Sequence, residues 1–233
     1  VSLAFTEGFY GKPRVDHALL EQYHEGLICL SACLAGELPR MLAQGDYEQA
    51  KQTALWYRDL FGPDNYFIEI QDHGIALQRQ VLPGLIRLSQ ETGIGLVATN
   101  DAHYIRREDA RMQSVLICIQ TNTTVDQPGD LEFETEEFYI KSRQEMEALF
   151  GGYPQALDNT CRIAQRCNVE FEFGHTKLPY FRAPAGEENA AYFRRLCYEG
   201  LRQRYGEHPD QAVVDRLEYE LGIVEKMGYV DYY

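Results

Sequence analysis

Asp101 and His103 stand two residues apart, just past the apolar run Ile94, Leu96, Val97 and Ala98. Such a run reads as a short buried strand, and Asn100, Asp101 and His103 gather polar groups at its C-terminal end. Open α/β sheets and α/β barrels carry their chemistry at that end of a strand. Two apart on an extended segment, a carboxylate and an imidazole point the same way and can share a divalent metal. The plainer reading is an Asp that caps the following helix and a His on the surface.

Two earlier segments end in the same manner. Leu27 to Leu30 reads as a strand that runs into Ser31-Ala32-Cys33, and Tyr66 to Ile70 as one that runs into Gln71-Asp72-His73-Gly74. In a parallel sheet or barrel the three ends share one face, so Cys33, His73, Asp101 and His103 become candidate metal ligands. Each alone has a plainer role, since a lone Cys is commonly a small core residue and a lone His a turn residue. Thiolate, imidazole and carboxylate together suit zinc, and the oxygen and nitrogen donors also suit manganese. A metal with open positions would activate water for hydrolysis of a phosphate ester. Glu37 and Asp72 read as helix-turn and turn residues. Lys12, Arg14, Arg106 and Arg107 could grip phosphate or simply be solvated charge, and Tyr104 could stack on a substrate or fill the core. The sequence has no glycine-rich phosphate loop, no GxSxG elbow and no acid pair with polymerase spacing.

The elements that must position these residues follow in short alternation. A helix is expected over Val15–Tyr23, a strand over 27–30, a helix through Leu34, Leu38 and Met41 stopped by Gly45, and a helix capped by Asp46 that ends at Phe61-Gly62-Pro63. After the strand at Tyr66–Ile70, Gln78–Thr92 reads as an amphipathic helix with Pro83 in its first turns, closed by Gly93. Strand, helix, strand, helix and strand predict parallel βα units. Further on come a helix over Arg107–Ile119, a polar loop over Asn122–Glu134 containing Pro128-Gly129, a strand over Phe138–Lys141, a helix opened by a Ser142/Glu145 capping box, and a helix over Leu157–Cys167. Phe171–Ala185 reads as an extended linker, followed by two helices, Glu187–Tyr205 and Pro209–Met227, with no strand between them. A domain boundary is expected near residue 180.

The totals bound the answer. At 233 residues and 45% apolar composition the chain can bury a substantial core. No apolar run approaches the roughly 18 residues of a membrane span. The N-terminus has no signal-peptide pattern, carries no initiator Met and starts in mid-pattern, so a cut-out piece of a longer protein is expected. Six scattered cysteines (Cys29, Cys33, Cys118, Cys161, Cys167 and Cys197) form no disulfide framework and no CxxC pair, which predicts reduced thiols in a cytosol. A net charge of −14 makes the chain a poor main grip on nucleic acid.

Several stretches, in order, resemble the alpha-subunit family of bacterial DNA polymerase III. They are Glu7–Asp16 (EGFYGKPRVD), Leu30–Glu37 (LSACLAGE), Tyr66–Gly74 (YFIEIQDHG), Val97–Tyr104 (VATNDAHY) and Phe138–Lys141 (FYIK). Arg216–Leu221 and Met227–Tyr233 are similar to that family's approach to the palm domain. The resemblance implies an α/β fold, a partial distorted βα barrel of the polymerase and histidinol phosphatase (PHP) type. It would cover residues 1–180, with a helical C-terminal extension, 181–233, leading into the palm. It maps the family's metal ligands onto Cys33, Asp101 and His103, and implies zinc or manganese there and magnesium at the parent's polymerase centre. It also implies a nucleotidyltransferase that binds DNA and deoxynucleoside triphosphates among other replisome subunits, with possible 3′–5′ exonuclease activity at the PHP site. The remaining ligands and the palm aspartates have no counterpart in this chain, so the isolated piece is expected not to polymerise and, with an open sheet edge, to self-associate. The competing expectations are a stand-alone PHP phosphoesterase and a non-catalytic PHP scaffold.

Overall fold

Tyr66, Ile68 and Ile70 alternate along one strand, and none is more than 1% exposed. Alternate residues share a face, and this face is covered by helices. The computed structural model describes residues 1–127, 129, 133–175 and 178–233. It opens with α1 (Ser2–Thr6) and a small antiparallel ribbon, β1 (Phe9–Tyr10) and β2 (Lys12–Pro13). Then follow α2 (His17–Tyr23), β3 (Cys29–Leu30), α3 (Glu37–Ala43), α4 (Tyr47–Phe61), β4 (Tyr66–Ile70), α5 (Ala76–Thr92) and β5 (Gly95–Ala98).

Strands β3, β4 and β5 are parallel and lie in that order, with Cys29 opposite Tyr66 and Ile68 opposite Leu96. Sequential parallel strands joined by helical crossovers are the βα arrangement that the alternating pattern predicts. Leu38 of α3, Ala50 and Ala54 of α4, and Val81, Leu85 and Leu88 of α5 pack with Ile68 and Ile70 into one core. Local chemistry sets the helix ends. Asp16 and Asp46 each accept a hydrogen bond three residues on, from Leu19 N (2.8 Å) and Gln49 N (3.1 Å). Gly93 closes α5 at φ +74, a left-handed conformation that glycine adopts without steric cost.

Beyond β5 come α6 (Ala110–Thr121), α7 (Arg143–Phe150) and α8 (Pro154–Arg166). Helix α8 covers the outer edge of β5, where Asn159 Nδ2 donates to the Leu96 carbonyl at 2.7 Å. The chain forms two compact units, Val1–Asn168 and Val169–Tyr233. In the second, α9 (Asn189–Tyr205) and α10 (Gln211–Lys226) are tied by Arg194, which reaches Glu218 at 3.0 Å and Glu225 at 2.6 Å. Among the described residues no helix is long and apolar enough to cross a membrane, and all six cysteines are unpaired thiols.

Three local expectations change. The strand expected over 27–30 keeps only Cys29–Leu30. Helix α5 starts at Ala76, so Pro83 lies inside it and not in its first turn. Its exposed position there is tolerated because Val81, Leu85 and Leu88 hold the helix to the core. The strand expected over Phe138–Lys141 reduces to a single parallel bridge, Tyr104 to Tyr139. The reason is competition for its backbone, since Asn100 Nδ2 takes the Glu137 and Tyr139 carbonyls at 2.9 and 2.6 Å. The expected loop over 122–134 and linker over 171–185 fall partly outside the described residues, Pro128 among them.

Candidate metal centre

Strand β5 delivers Asn100, Asp101 and His103. Val97 and Ala98 are buried, and Thr99 N extends the ladder by one bond to the Ile70 carbonyl at 3.2 Å. Asn100 is then held on all sides. Its amide nitrogen binds the two carbonyls of the 137–139 segment, its Oδ1 accepts from Lys141 Nζ at 3.3 Å, and its carbonyl accepts from His73 Nε2 at 2.8 Å. Asp101 follows with φ +42, a left-handed conformation uncommon outside glycine. The segment is therefore not extended at this point, and the pair meets through a turn. Asp101 Oδ1 lies 3.5 Å from His103 Nε2, with both side chains partly exposed. His103 N donates to the Phe138 carbonyl at 2.7 Å, and its ring lies 4.7 Å from that of Phe133.

His73 is fully buried, and both ring nitrogens have protein partners. Gln78 Nε2 lies 2.7 Å from Nδ1 and the Asn100 carbonyl 2.8 Å from Nε2, an arrangement that suits the Nε2–H tautomer. The ring stacks on Phe138 with centroids 4.0 Å apart. Burial pushes its pKa below the ordinary histidine value, against the hydrogen bond to Asn100, which raises it. In this arrangement His73 is a neutral core residue that holds the Asn100 carbonyl.

Cys33 follows Ala32, which has φ +65. It lines a cavity of about 10 Å³, the scale of one water-sized group, together with Glu69, Gln71 and Gln78. Glu69 is the residue that sequence reasoning missed. It lies between Ile68 and Ile70 on β4, so its side chain leaves the helix-packed face. Its Oε2 accepts from Ala32 N at 2.6 Å and its Oε1 from Thr99 Oγ1 at 2.7 Å, while Gln71 Nε2 donates to the same Thr99 oxygen at 3.0 Å. Lys141, whose side chain is only 4% exposed, lies where the sequence predicts a strand and pairs with Glu137 at 3.1 Å. One signal was available for each, a charge inside an otherwise apolar YFIEI or FYIK run.

The remaining candidates resolve individually. Asp72 Oδ1 accepts from Gly74 N at 2.9 Å, a turn role. Glu37 accepts from Tyr57 and meets His17 at 3.1 Å. Arg107 is paired with Glu137 at 2.7 Å, and Arg106 with Glu108 at 4.0 Å. Arg14 donates to the Tyr10 carbonyl, and Lys12 is exposed. Tyr104 is half-buried, and its hydroxyl accepts from Phe138 N. In kind, the thiol of Cys33, the carboxylate of Asp101 and the imidazole of His103 fit a divalent ion. In place, only Asp101 and His103 are paired, and no three His, Cys, Asp or Glu side chains converge among the described residues.

The PHP domain family matches residues 1–73, which include Cys33 and His73, and the family described as the bacterial DNA polymerase III alpha NTPase domain matches residues 191–233. The chain is 46% identical to the DNA polymerase III subunit alpha of Treponema pallidum over 235 aligned positions, which cover 100% of this chain and 20% of that protein. The same-named proteins of Borreliella burgdorferi and Deinococcus radiodurans are 41% and 40% identical, covering 100% and 99% of this chain and 20% and 18% of those proteins. The chain is homologous to a segment of the DNA polymerase III alpha subunit. It spans about a fifth of the length of the relatives it matches. The parallel βα sheet is consistent with a partial α/β barrel, and the PHP match reaches its first two strands, β3 and β4.

Proposed function

We propose that the chain acts within a replicative DNA-directed DNA polymerase. Residues 1–180 form the C-terminal part of its PHP domain, and 181–233 the helical approach to its palm. The similarity to alpha subunits over the whole chain carries this reading. DNA, deoxynucleoside triphosphates, magnesium and other replisome subunits are engaged through the parent protein in the cytoplasm, and the isolated chain does not polymerise. Primer extension by the purified 233-residue chain tests the last point, with no incorporation expected and incorporation overturning it.

Within the PHP part, Cys33, Asp101 and His103 contribute ligands to a zinc or manganese site. The close approach of Asp101 and His103 at a strand end supports this. A divalent ion held by Cys33, Asp101 and His103 would supply Lewis acidity, the chemistry that phosphodiester hydrolysis by a 3′–5′ exonuclease would need. The chain's own groups orient it, with Asn100 fixing the Asp101 turn and the Phe138 carbonyl fixing the His103 backbone. Metal content of the full polymerase subunit, with and without Asp101→Ala and His103→Ala together, tests the assignment. Loss of about one equivalent is expected, and stoichiometric metal unchanged in the double variant defeats it. A second reading, a PHP scaffold without catalysis, is favoured by the absence of any three convergent ligands among the described residues. It predicts unchanged metal content and undisturbed assembly in the same variant.

A further inference from the structure

Two backbone positions beside the candidate ligands are left-handed without being glycine. Ala32, just before Cys33, has φ +65, and Asp101 has φ +42. Such conformations are unfavourable for residues with a side chain and persist where surrounding bonds enforce them. A single side chain from the strand between them reaches both segments. Glu69 of β4 accepts the Ala32 N–H with one carboxylate oxygen and the Thr99 hydroxyl with the other, at 2.6 and 2.7 Å. Its own N–H donates to Ser31 Oγ at 2.8 Å, a third tie to the Cys33 loop. Thr99 passes the restraint to Asn100, which the His73 ring and Lys141 hold from the far side. Cys33 and Glu69 also line one small cavity.

We propose that Glu69 is a positioning residue of the candidate metal centre, its carboxylate locking the turn before Cys33 to the turn that carries Asp101 and His103. The proposal rests on the metal reading above and adds a residue that reading does not use. Each carboxylate oxygen has a protein donor, one from each loop, and through these bonds Glu69 holds the two loops in register. The choice of side chain follows from the donors. Ala32 N–H and Thr99 O–H both require acceptors, and a carboxylate offers acceptors on two oxygens without a competing proton.

The test compares Glu69→Ala, Glu69→Gln and Thr99→Val in the 233-residue chain, with two readouts. The first is NMR of the Ala32 amide proton, shifted downfield by its bond to a carboxylate, together with the left-handed backbone shifts of Ala32 and Asp101. The second is Mn²⁺ affinity from paramagnetic broadening around Asp101 and His103. Glu69→Ala is expected to lose the Ala32 signature and to weaken Mn²⁺ binding about 10-fold, the usual scale for a residue supporting a ligand. Glu69→Gln, which keeps one acceptor for Ala32, is expected to retain that signature and most of the affinity. Thr99→Val is expected to keep the Ala32 signature while shifting Asp101 and weakening Mn²⁺. Should Glu69→Ala fail to fold, the Gln and Val variants decide alone. Equal loss in Glu69→Gln and Glu69→Ala would identify a direct ligand and overturn the proposal, as would unchanged Asp101 shifts and affinity in Thr99→Val. If the unsubstituted chain binds no Mn²⁺, the metal reading fails in this chain while the shift changes still decide whether Glu69 locks the turns.

Discussion

His73 and His103 are the same residue type at comparable places after a strand, and the fold uses them in opposite ways. His103 stays partly exposed beside Asp101, whereas His73 is enclosed between Gln78, Asn100 and Phe138. Enclosure has a consequence for stability. Burial lowers the folded pKa of His73, while the unfolded chain titrates near the ordinary value of about 6.5. Above that value both states are neutral and the stability is full. As the pH falls below it, the unfolded chain takes up a proton that the folded chain resists, and stability is lost. Urea midpoints are thus expected to be lower at about pH 5.5 than at about pH 7.5. His73→Gln, uncharged at both, should reduce that difference, and an undiminished difference would show that His73 does not carry it.

At the scale of elements, the helix ends were legible because a cap is chemistry over three residues. Asp46 and the Ser142/Glu145 box take the roles their spacing predicts. Edges were less legible. The outer edge of β5 is satisfied by Asn159 from α8, and Asn159→Ala, which leaves the Leu96 carbonyl without that donor, should cost about 1–3 kcal/mol in urea unfolding. The loop that carries Cys33 depends on Gly36, where an added Cβ would sit 2.3 Å from the Ser31 carbonyl oxygen. Backbone cannot yield as a flexible side chain does, so Gly36→Ala should destabilise by about 1–3 kcal/mol. It should also shift the Cys33 resonances, which a surface substitution would leave in place.

For the molecule as a whole, the alternating pattern predicts parallel βα units, the fold supplies the strand order β3-β4-β5, and the similarity to alpha subunits extends over the entire chain. The first unit leaves apolar side chains in solvent. Phe9 and Tyr10 of the ribbon are exposed, as are Met112, Leu116 and Ile119, which recur along α6 at helical spacing. Among the described residues strand β3 pairs only with β4. Exposed apolar stripes and open strand edges favour association with other chains. Static light scattering of the isolated chain is expected to give a mass that rises with concentration, and a constant monomer mass at high concentration would count against it.

The amino-acid sequence by itself determined the alternation of strands and helices, their caps, the strand ends at which chemistry gathers, and the family resemblance. Each of these rests on residue type and spacing within a few positions. Only the tertiary structure decided which polar groups meet. The bond from His73 to Asn100 spans 27 residues, and those from Glu69 to Ala32 and Thr99 span 37 and 30. Lys141 reaches Asn100 across 41. Parallel strands bring residues together only after a whole crossover helix, so no local signal records such partners. That is why Asp101 and His103 could be read as a pair, while the carboxylate that ties their turn to Cys33 emerged only from the fold.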